Sequence, residues 1–405
     1  MKTIRLRNGQ LGRHNPNHPW IYKRQFLKVE PSIKPGDIVS VISSEGSFLG
    51  RGYYNPRSEI SIRMLTFRDE AIDKVFFDSR IKKALEKRKG LLSKTNAYRA
   101  IFSEADELPG LIMDMYSDTL VFQFLTLGME KFKDIIVECA RAVPKARYIY
   151  EKSVSAFRKL EGLKDVQGWH GDQGDTIVEI SEGKARFLVD LLNGHKTGFY
   201  LDQRNSRLAM EPLSKEKKVL DLFCYTGAFS VSSASFGANE VTAIDIKDKW
   251  LELGRKNARL NNVEGRIEFI KGDAFFKLKD IYNSGEKFDI IIVDPPSFLK
   301  KRESIKSASK GYSQLNLLAM KALREGGILA TFSCSGNMPN EAFSDTLKKA
   351  VREAGKRMTI LKRCHQAEDH PIIRHIPQTD YLKGYFLKIE NIEVDTKYHS
   401  QNIMT

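Results

Sequence analysis

The sequence predicts an α/β chain in three parts: an all-β barrel, then an α+β module, then a doubly wound, seven-stranded, mostly parallel sheet. Three observations lead there. Apolar runs at 219–222, 240–245, 267–271, 288–293 and 328–333 alternate with helical stretches at 227–236, 247–261, 274–283 and 312–325. That alternation demands crossover connections and a parallel sheet covered by helices on both faces. Two further extended segments, 358–363 and 384–390, supply late strands, one of them antiparallel at the edge. Residues 1–70, by contrast, hold only short extended runs with turn residues between them.

Those runs are 4–7, 26–29, 38–42, 48–52 and 60–65, separated by Asn15-Pro16, Pro35-Gly36, Glu45-Gly46 and Asn55-Pro56, with one helical turn expected over 18–22. A helix is expected over 69–94, where Val75, Phe76, Ile81, Leu85 and Leu92 share one apolar face. Arg80, Lys82, Lys83, Lys87, Arg88 and Lys89 cover the rest of it, as a solvated face or as an RNA contact. Strands at 110–115, 120–125, 146–151, 177–180 and 185–189, with a helix over 130–141, make the central module. The domain boundaries expected are 1–70, 71–187 and 188–393, followed by a polar tail at 394–405.

The chain has 405 residues, 41% apolar and 29% charged, an ordinary globular composition. Its start lacks the apolar stretch of a secretory signal, and its apolar runs are far too short to span a bilayer, so a cytoplasmic protein with no membrane partner is expected. The four cysteines (139, 224, 334 and 364) are scattered without metal-ligand spacing, and reduced thiols are the expectation. The net charge of +15 suits a polyanionic partner. Residues 1–70 carry 12 Lys and Arg against 6 Asp and Glu, and residues 71–187 carry 20 against 18. The excess therefore lies toward the two ends of the chain.

Four strand ends carry the chemistry. The first runs Val-Leu-Asp-Leu-Phe-Cys-Tyr-Thr-Gly, with Asp221 in the strand and Gly227 letting the backbone approach a ligand. A single glycine does not make the dinucleotide fingerprint, so a pyrophosphate is not favoured. The second strand ends at Asp245, placed to accept both hydroxyls of a ribose. Asp273 follows the third, suited to an adenine amine, with Ala274 and Phe275 as apolar cover. Each aspartate alone is as often a helix cap. Three at successive strand ends point to a nucleoside pocket. After the next strand, Asp294-Pro295-Pro296-Ser297-Phe298 makes a rigid turn that can hold a carboxylate against a planar base, with Phe298 to stack on it. Lys300, Lys301, Arg302, Lys306 and Lys310 follow as a phosphate path or a solvated loop. Cys334, in Phe-Ser-Cys-Ser-Gly, is a thiol presented to a cleft, whereas Cys224 reads as a small packed hydrophobe. Only a thiolate attacks, so Cys334 needs basic surroundings or substrate to activate it. Asn193-Gly194-His195-Lys196-Thr197 lacks the earlier glycine of a phosphate loop, and Cys364, His365 and His370 are too irregular for a metal.

These segments, with Thr197 to Arg204, Gln366 to Pro371 and Tyr381 to Gly384, resemble the PUA-domain family of class I S-adenosylmethionine-dependent methyltransferases that modify cytosine C5 in 23S ribosomal RNA. The resemblance implies a Rossmann-like methyltransferase domain, a PUA barrel over 1–70, S-adenosyl-L-methionine as cofactor and 23S ribosomal RNA as partner, and it leaves a homodimer open. It implies Cys334 as the nucleophile on C6 and Asp294 as the group that stabilises the ring near N3. It places Phe199, Tyr200 and Gln203 along the methionine side of the cofactor. Asp221, Phe223, Tyr225, Gly227, Asp245, Ile246, Asp273, Ala274, Asp294 and Pro295 complete the cofactor-binding set. One departure stands out: Ser297 occupies the place where several other RNA cytosine-5 methyltransferases carry a second cysteine. The rival readings are a methyltransferase for a ring nitrogen or exocyclic amine, which needs no thiol, and an RNA-binding assembly factor with a vestigial cofactor fold. A small-molecule methyltransferase would leave the barrel and the charge without purpose.

Overall fold

The N-terminal runs pair into an open, five-stranded half-barrel. In the computed structural model, which describes residues 2–7, 17–298 and 305–392, its strands are β1 (Thr3–Arg5), β2 (Trp20–Ile21), β3 (Ile38–Ile42), β4 (Phe48–Tyr54) and β5 (Ile62–Thr66), in the order β1-β3-β4-β5-β2. Ile4, Ile21, Val39, Val41, Ile62 and Met64 alternate inward to form its core. Two expectations change here. The helical turn over 18–22 is instead β2, because Trp20 and Ile21 pair with Arg63 and Ile62, followed by a 3-10 turn at Lys23–Gln25. The strand over 26–29 shrinks to a bridge between Leu6 and Phe26. The turn at Asn15-Pro16, the cations at 300–302 and the tail 394–405 lie outside the described residues.

Helix α1 (Lys74–Glu86) is shorter than the expected 69–94, since the Asp73 side chain accepts from the Phe76 N–H at 3.1 Å and fixes its start. A separate 3-10 turn, Lys89–Leu91, follows it. The next sheet contains β6 (Ala97–Phe102), β7 (Leu111–Tyr116), β8 (Thr119–Phe124), β9 (Tyr148–Ser153) and β10 (Val166–Trp169), in the order β10-β9-β8-β7-β6. Around it run α2 (Leu127–Lys131), α3 (Lys133–Ala140) and α4 (Ala156–Leu160), and β11 (Ile177–Glu182) and β12 (Ala185–Asp190) form a hairpin. Strands β6 and β10 were not foreseen. In β6 the polar residue that spoils the apolar pattern is Arg99, buried against Asp114 of β7 by two 2.8 Å contacts.

After the short helices α5 (Arg204–Leu208) and α6 (Glu211–Ser214), β13 (Lys218–Leu222), β14 (Glu240–Asp245), β15 (Ile267–Lys271) and β16 (Phe288–Val293) appear as expected. They alternate with α7 (Ala228–Ser235), α8 (Asp248–Leu260) and α9 (Ala274–Ser284). Helix α10 (Ile305–Ala322) starts earlier than expected and runs into β17 (Leu323–Ser333). An unforeseen helix, α11 (Asn340–Ala354), precedes β18 (Lys356–Cys364) and β19 (Lys383–Asn391). The sheet order is β15-β14-β13-β16-β17-β19-β18. The antiparallel strand is therefore not at the edge. β19 runs antiparallel to both β17 and β18 and lies between them. Ile290, Ile291, Ile292 and Val293 are all buried, the pattern of a central strand covered on both faces. On one of those faces α10 turns Ala308, Tyr312, Leu315 and Ala319 into the core.

Two compact units result: Met1–Arg204 with Ala367–Asp380, and Asn205–Gln366 with Tyr381–Thr405. Among the described residues, no helix is long and apolar enough to cross a membrane.

Candidate cofactor and catalytic site

Sheet register collects the predicted groups of the second unit. Leu222 at the end of β13 pairs with Ile244 of β14 and Val293 of β16, and Val293 pairs with Thr331 of β17. Asp221, Asp245 and Asp294 thus lie at the carboxyl ends of neighbouring strands, where open α/β sheets bind ligands. Cys334 follows directly on β17, and Asp273 caps the helix after β15.

The loop from Phe223 to Gly227 is strained. Phe223 and Tyr225 adopt φ of 62° and 51°, a conformation that costs a non-glycine residue about 1–3 kcal/mol. Compensating contacts hold it. The Tyr225 N–H donates to Asp245 Oδ2 at 3.0 Å, its ring meets Trp250 at 4.8 Å, and the Cys224 N–H donates to the Ile244 carbonyl. Gly227 has φ 72°, and a Cβ there would lie 2.9 Å from the Phe269 ring. The protein itself therefore demands this glycine, independently of any ligand. Asp245 Oδ1 also accepts from the Lys247 N–H at 3.0 Å.

Burial pushes the Asp221 carboxyl up to about 7, against the Ser230 hydroxyl that donates to it at 2.5 Å; the negative charges of Asp294 and Asp245 push the same way. Burial also raises Asp245, opposed by its backbone N–H donors. A carboxyl raised by burial and by two neighbouring carboxylates favours a positively charged ligand. The hydroxyl of Thr226, buried in the same loop, has no hydrogen-bond partner among the described residues. A cofactor that carries a sulfonium, an amine and a carboxylate fits this donor set. Ile246, 59% exposed beside Asp245, offers apolar surface, while Ala274 and Pro295 are buried.

Some predicted residues have other partners. Asp273 Oδ1 accepts from the N–H groups of Phe275 and Phe276, the helix-cap role. Phe298 is half-buried and packed between Phe275 (5.9 Å) and Tyr312 (4.8 Å), so its ring is already engaged. Phe199, Tyr200 and Gln203 belong to the first unit. There Phe199 is buried against Phe187, the Tyr200 hydroxyl lies 3.1 Å from His195 Nδ1, and Gln203 is buried in a 3-10 turn.

The four thiols differ sharply. Burial, then Asp221 and Asp245, drive Cys224 well above its ordinary value, and burial also raises Cys139 and takes Cys364 to about 11. Cys334 alone of the four is half-buried rather than buried. Sequence reasoning did not single out Tyr312 or Lys383. The buried Tyr312 hydroxyl accepts from Ser333 Oγ at 3.0 Å, next to Cys334. Lys383 Nζ donates to the Ser335 carbonyl at 2.9 Å.

His370 is no isolated ligand. It lies buried 3.1 Å from Asp369, which also meets Arg204 at 2.7 Å. Burial alone would raise Asp369, but His370 and Arg204 outweigh it and hold the carboxyl well below the ordinary range. The motif residues 202–204 and 366–371 therefore owe part of their pattern to an internal ion network.

Comparison with known proteins agrees with this geometry. The signature of the S-adenosylmethionine-dependent methyltransferase family matches residues 162–377, and that of the PUA-like domain matches residues 4–67. A ribosomal RNA large subunit methyltransferase I of Alteromonas mediterranea is 40% identical over 92% of this chain and 95% of its own. The chain belongs to the ribosomal RNA large subunit methyltransferase I family. The Escherichia coli member is 37% identical, also over 92% of this chain and 95% of its own. A solved Streptococcus mutans chain, described as a SAM-dependent methyltransferase, superposes with a TM-score of 0.81 at 24% identity, covering 96% of this chain and 100% of that one. A methyltransferase solved with SAH superposes equally well, at 23% identity and the same coverage. Those two likenesses show the fold. As a member of the family, this protein is an S-adenosylmethionine-dependent methyltransferase with an N-terminal PUA-like half-barrel.

Proposed function

We propose that this enzyme methylates C5 of a cytosine in 23S ribosomal RNA, in the cytoplasm, with Cys334 as the nucleophile. The carrying observation is a half-buried thiol at the end of β17, on the sheet edge where Asp221, Asp245 and Asp294 lie. Methylation of an amine or ring nitrogen has no use for a thiol there. The curated relatives named as ribosomal RNA methyltransferases, the PUA-like half-barrel and the charge of +15 support an RNA substrate.

S-adenosylmethionine, when bound, supplies a methyl group activated by a sulfonium. Asp245 would hold its ribose, Asp221 and the loop 223–227 its charged end, and Ile246, Asp273, Ala274 and Pro295 its base. Phe199, Tyr200 and Gln203 would line its methionine side. The protein's own groups do the rest. C5 of cytosine is a weak nucleophile until C6 carries an adduct. The Cys334 thiolate forms a bond to C6, and the C5=C6 electron pair shifts toward C5 and through C4 to N3. Asp294 would stabilise the ring at N3 by carrying a proton in the RNA complex and donating it in a hydrogen bond to N3 as negative charge builds there. C5 then accepts the methyl group. Loss of the C5 proton to a base returns its electrons to C5=C6 as the C6–S bond breaks and sulfur recovers its pair.

RNA with 5-fluorocytosine at the target tests this reading, because fluorine cannot leave as a proton. A denaturant-resistant complex should form and map by mass spectrometry to the peptide that contains Cys334. An adduct on Cys139, Cys224 or Cys364, or methylation without any adduct, would overturn the mechanism in favour of nitrogen methylation.

A further inference from the structure

A lysine in the middle of a sheet calls for a reason. Lys383 opens β19 and pairs with Ser333 of β17, one residue before Cys334. Its side chain is buried, 4% exposed overall, and Nζ donates to the carbonyls of Ser335 and Tyr381, each at 2.9 Å. Burying an ammonium is costly, and an apolar residue would fill a strand position at lower cost. The ammonium thus sits on the backbone just after Cys334, and the backbone of the same lysine pairs with the residue just before it.

We propose that Lys383 is a positioning residue that activates Cys334: its charge stabilises the thiolate, and its hydrogen bond to Ser335 fixes the strand end that presents the sulfur. Nearby positive charge lowers a thiol pKa, as at reactive cysteines generally. Two described neighbours of the strand end do not do this. Asp294, after β16, is negative and opposes thiolate formation. Tyr312, on α10, is a neutral phenol that burial raises above its ordinary value, and it feels the charges of Cys334 and Asp294. Lys383, from β19, brings positive charge to this strand end. The thiol proton leaves to solvent, and no other reagent is needed.

The inference rests on the proposed role of Cys334, but its test needs neither RNA nor cofactor. In the full chain, the pH dependence of Cys334 alkylation by iodoacetamide, followed on its peptide by mass spectrometry, reports the thiolate. In Lys383→Met the midpoint should rise by about 1–2 pH units, a roughly 10–100-fold lower thiolate fraction near neutrality. Lys383→Arg should restore most of it. Should the Met variant fail to fold, Lys383→Gln keeps a donor to the carbonyls without the charge and is read in the same way. An unchanged midpoint in a folded Met or Gln variant overturns the proposal. A shifted midpoint together with a fluorocytosine adduct elsewhere would leave this inference standing and remove the nucleophile assignment.

Discussion

Cys224 and Cys334 follow two strands of one sheet, with only β16 between those strands, and they differ in burial and in the charged groups bonded nearby. Cys224 sits inside a strained loop, fully enclosed, with Asp221 and Asp245 beside it, and its thiol is driven well above the ordinary value. Cys334 follows a strand end, half-buried, with a buried lysine bonded to the residue after it. The loop at Cys224 gathers negative charge, as a site for a cationic cofactor requires. On the proposed reading, Lys383 offsets negative charge at the strand end beside Cys334, as a nucleophile requires. What separates the two thiols is burial first, and then the charge of the neighbours.

The comparison breaks most visibly at the thiols themselves. Cys334→Ala should lower methylation by about a thousandfold or more while cofactor binding survives, since a nucleophile cannot be replaced piecemeal. Cys224→Ala should keep activity close to the parent's; equal losses in both, measured by methyl transfer to RNA, would erase the distinction. The next effect lies in the carboxylates. Asp245→Ala removes a charged acceptor, and calorimetry should show cofactor affinity weaker by about 1.5–3 kcal/mol.

Asp221 sharpens the electrostatic half. Its folded value near 7 lies above the unfolded one, so its contribution favours folding at low pH and is lost as pH rises through about 7. Asp221→Asn should therefore leave stability little changed at pH 4 and raise it at pH 8 by on the order of 1–2 kcal/mol, read from urea unfolding. Cofactor binding to the parent near pH 6.5 should release part of a proton, an effect absent in the variant. Asp273→Ala is the smallest change: loss of the cap should cost about 1 kcal/mol of stability. A simultaneous fall in cofactor affinity, measured by calorimetry, would add the adenine contact to the cap.

Where apolar runs are buried on both faces, the sequence was a sufficient guide: the strands ending at Leu222, Asp245 and Val293 stand where their Val and Ile runs put them. It failed where a long-range polar partner rewrites the local pattern. Arg99 hides β6 because its match, Asp114, lies on another strand. Strand order is equally invisible locally, and nothing within 383–391 says that this strand inserts between β17 and β18. That insertion is why Lys383 escaped notice although its motif was recognised. Asp221 and Asp245 were legible because strand-end position is a local property, whereas the strain at Phe223 and Tyr225 was not, since aromatic residues rarely take positive φ.

The division of the chain into two interrupted units bears on its synthesis. Residues 367–380 complete the first unit, and β19 completes the second. Domains usually fold in turn as they leave the ribosome, at about 5–20 residues per second. Here neither can finish in turn. Arg204 waits for Asp369, more than 160 residues later, and the strand that bears Cys334 waits for Lys383. Both units close only after the return segment and β19 have emerged, one shortly after the other. A nascent chain arrested before residue 367 should therefore leave both units open to protease, and one released after residue 392 should protect both at once.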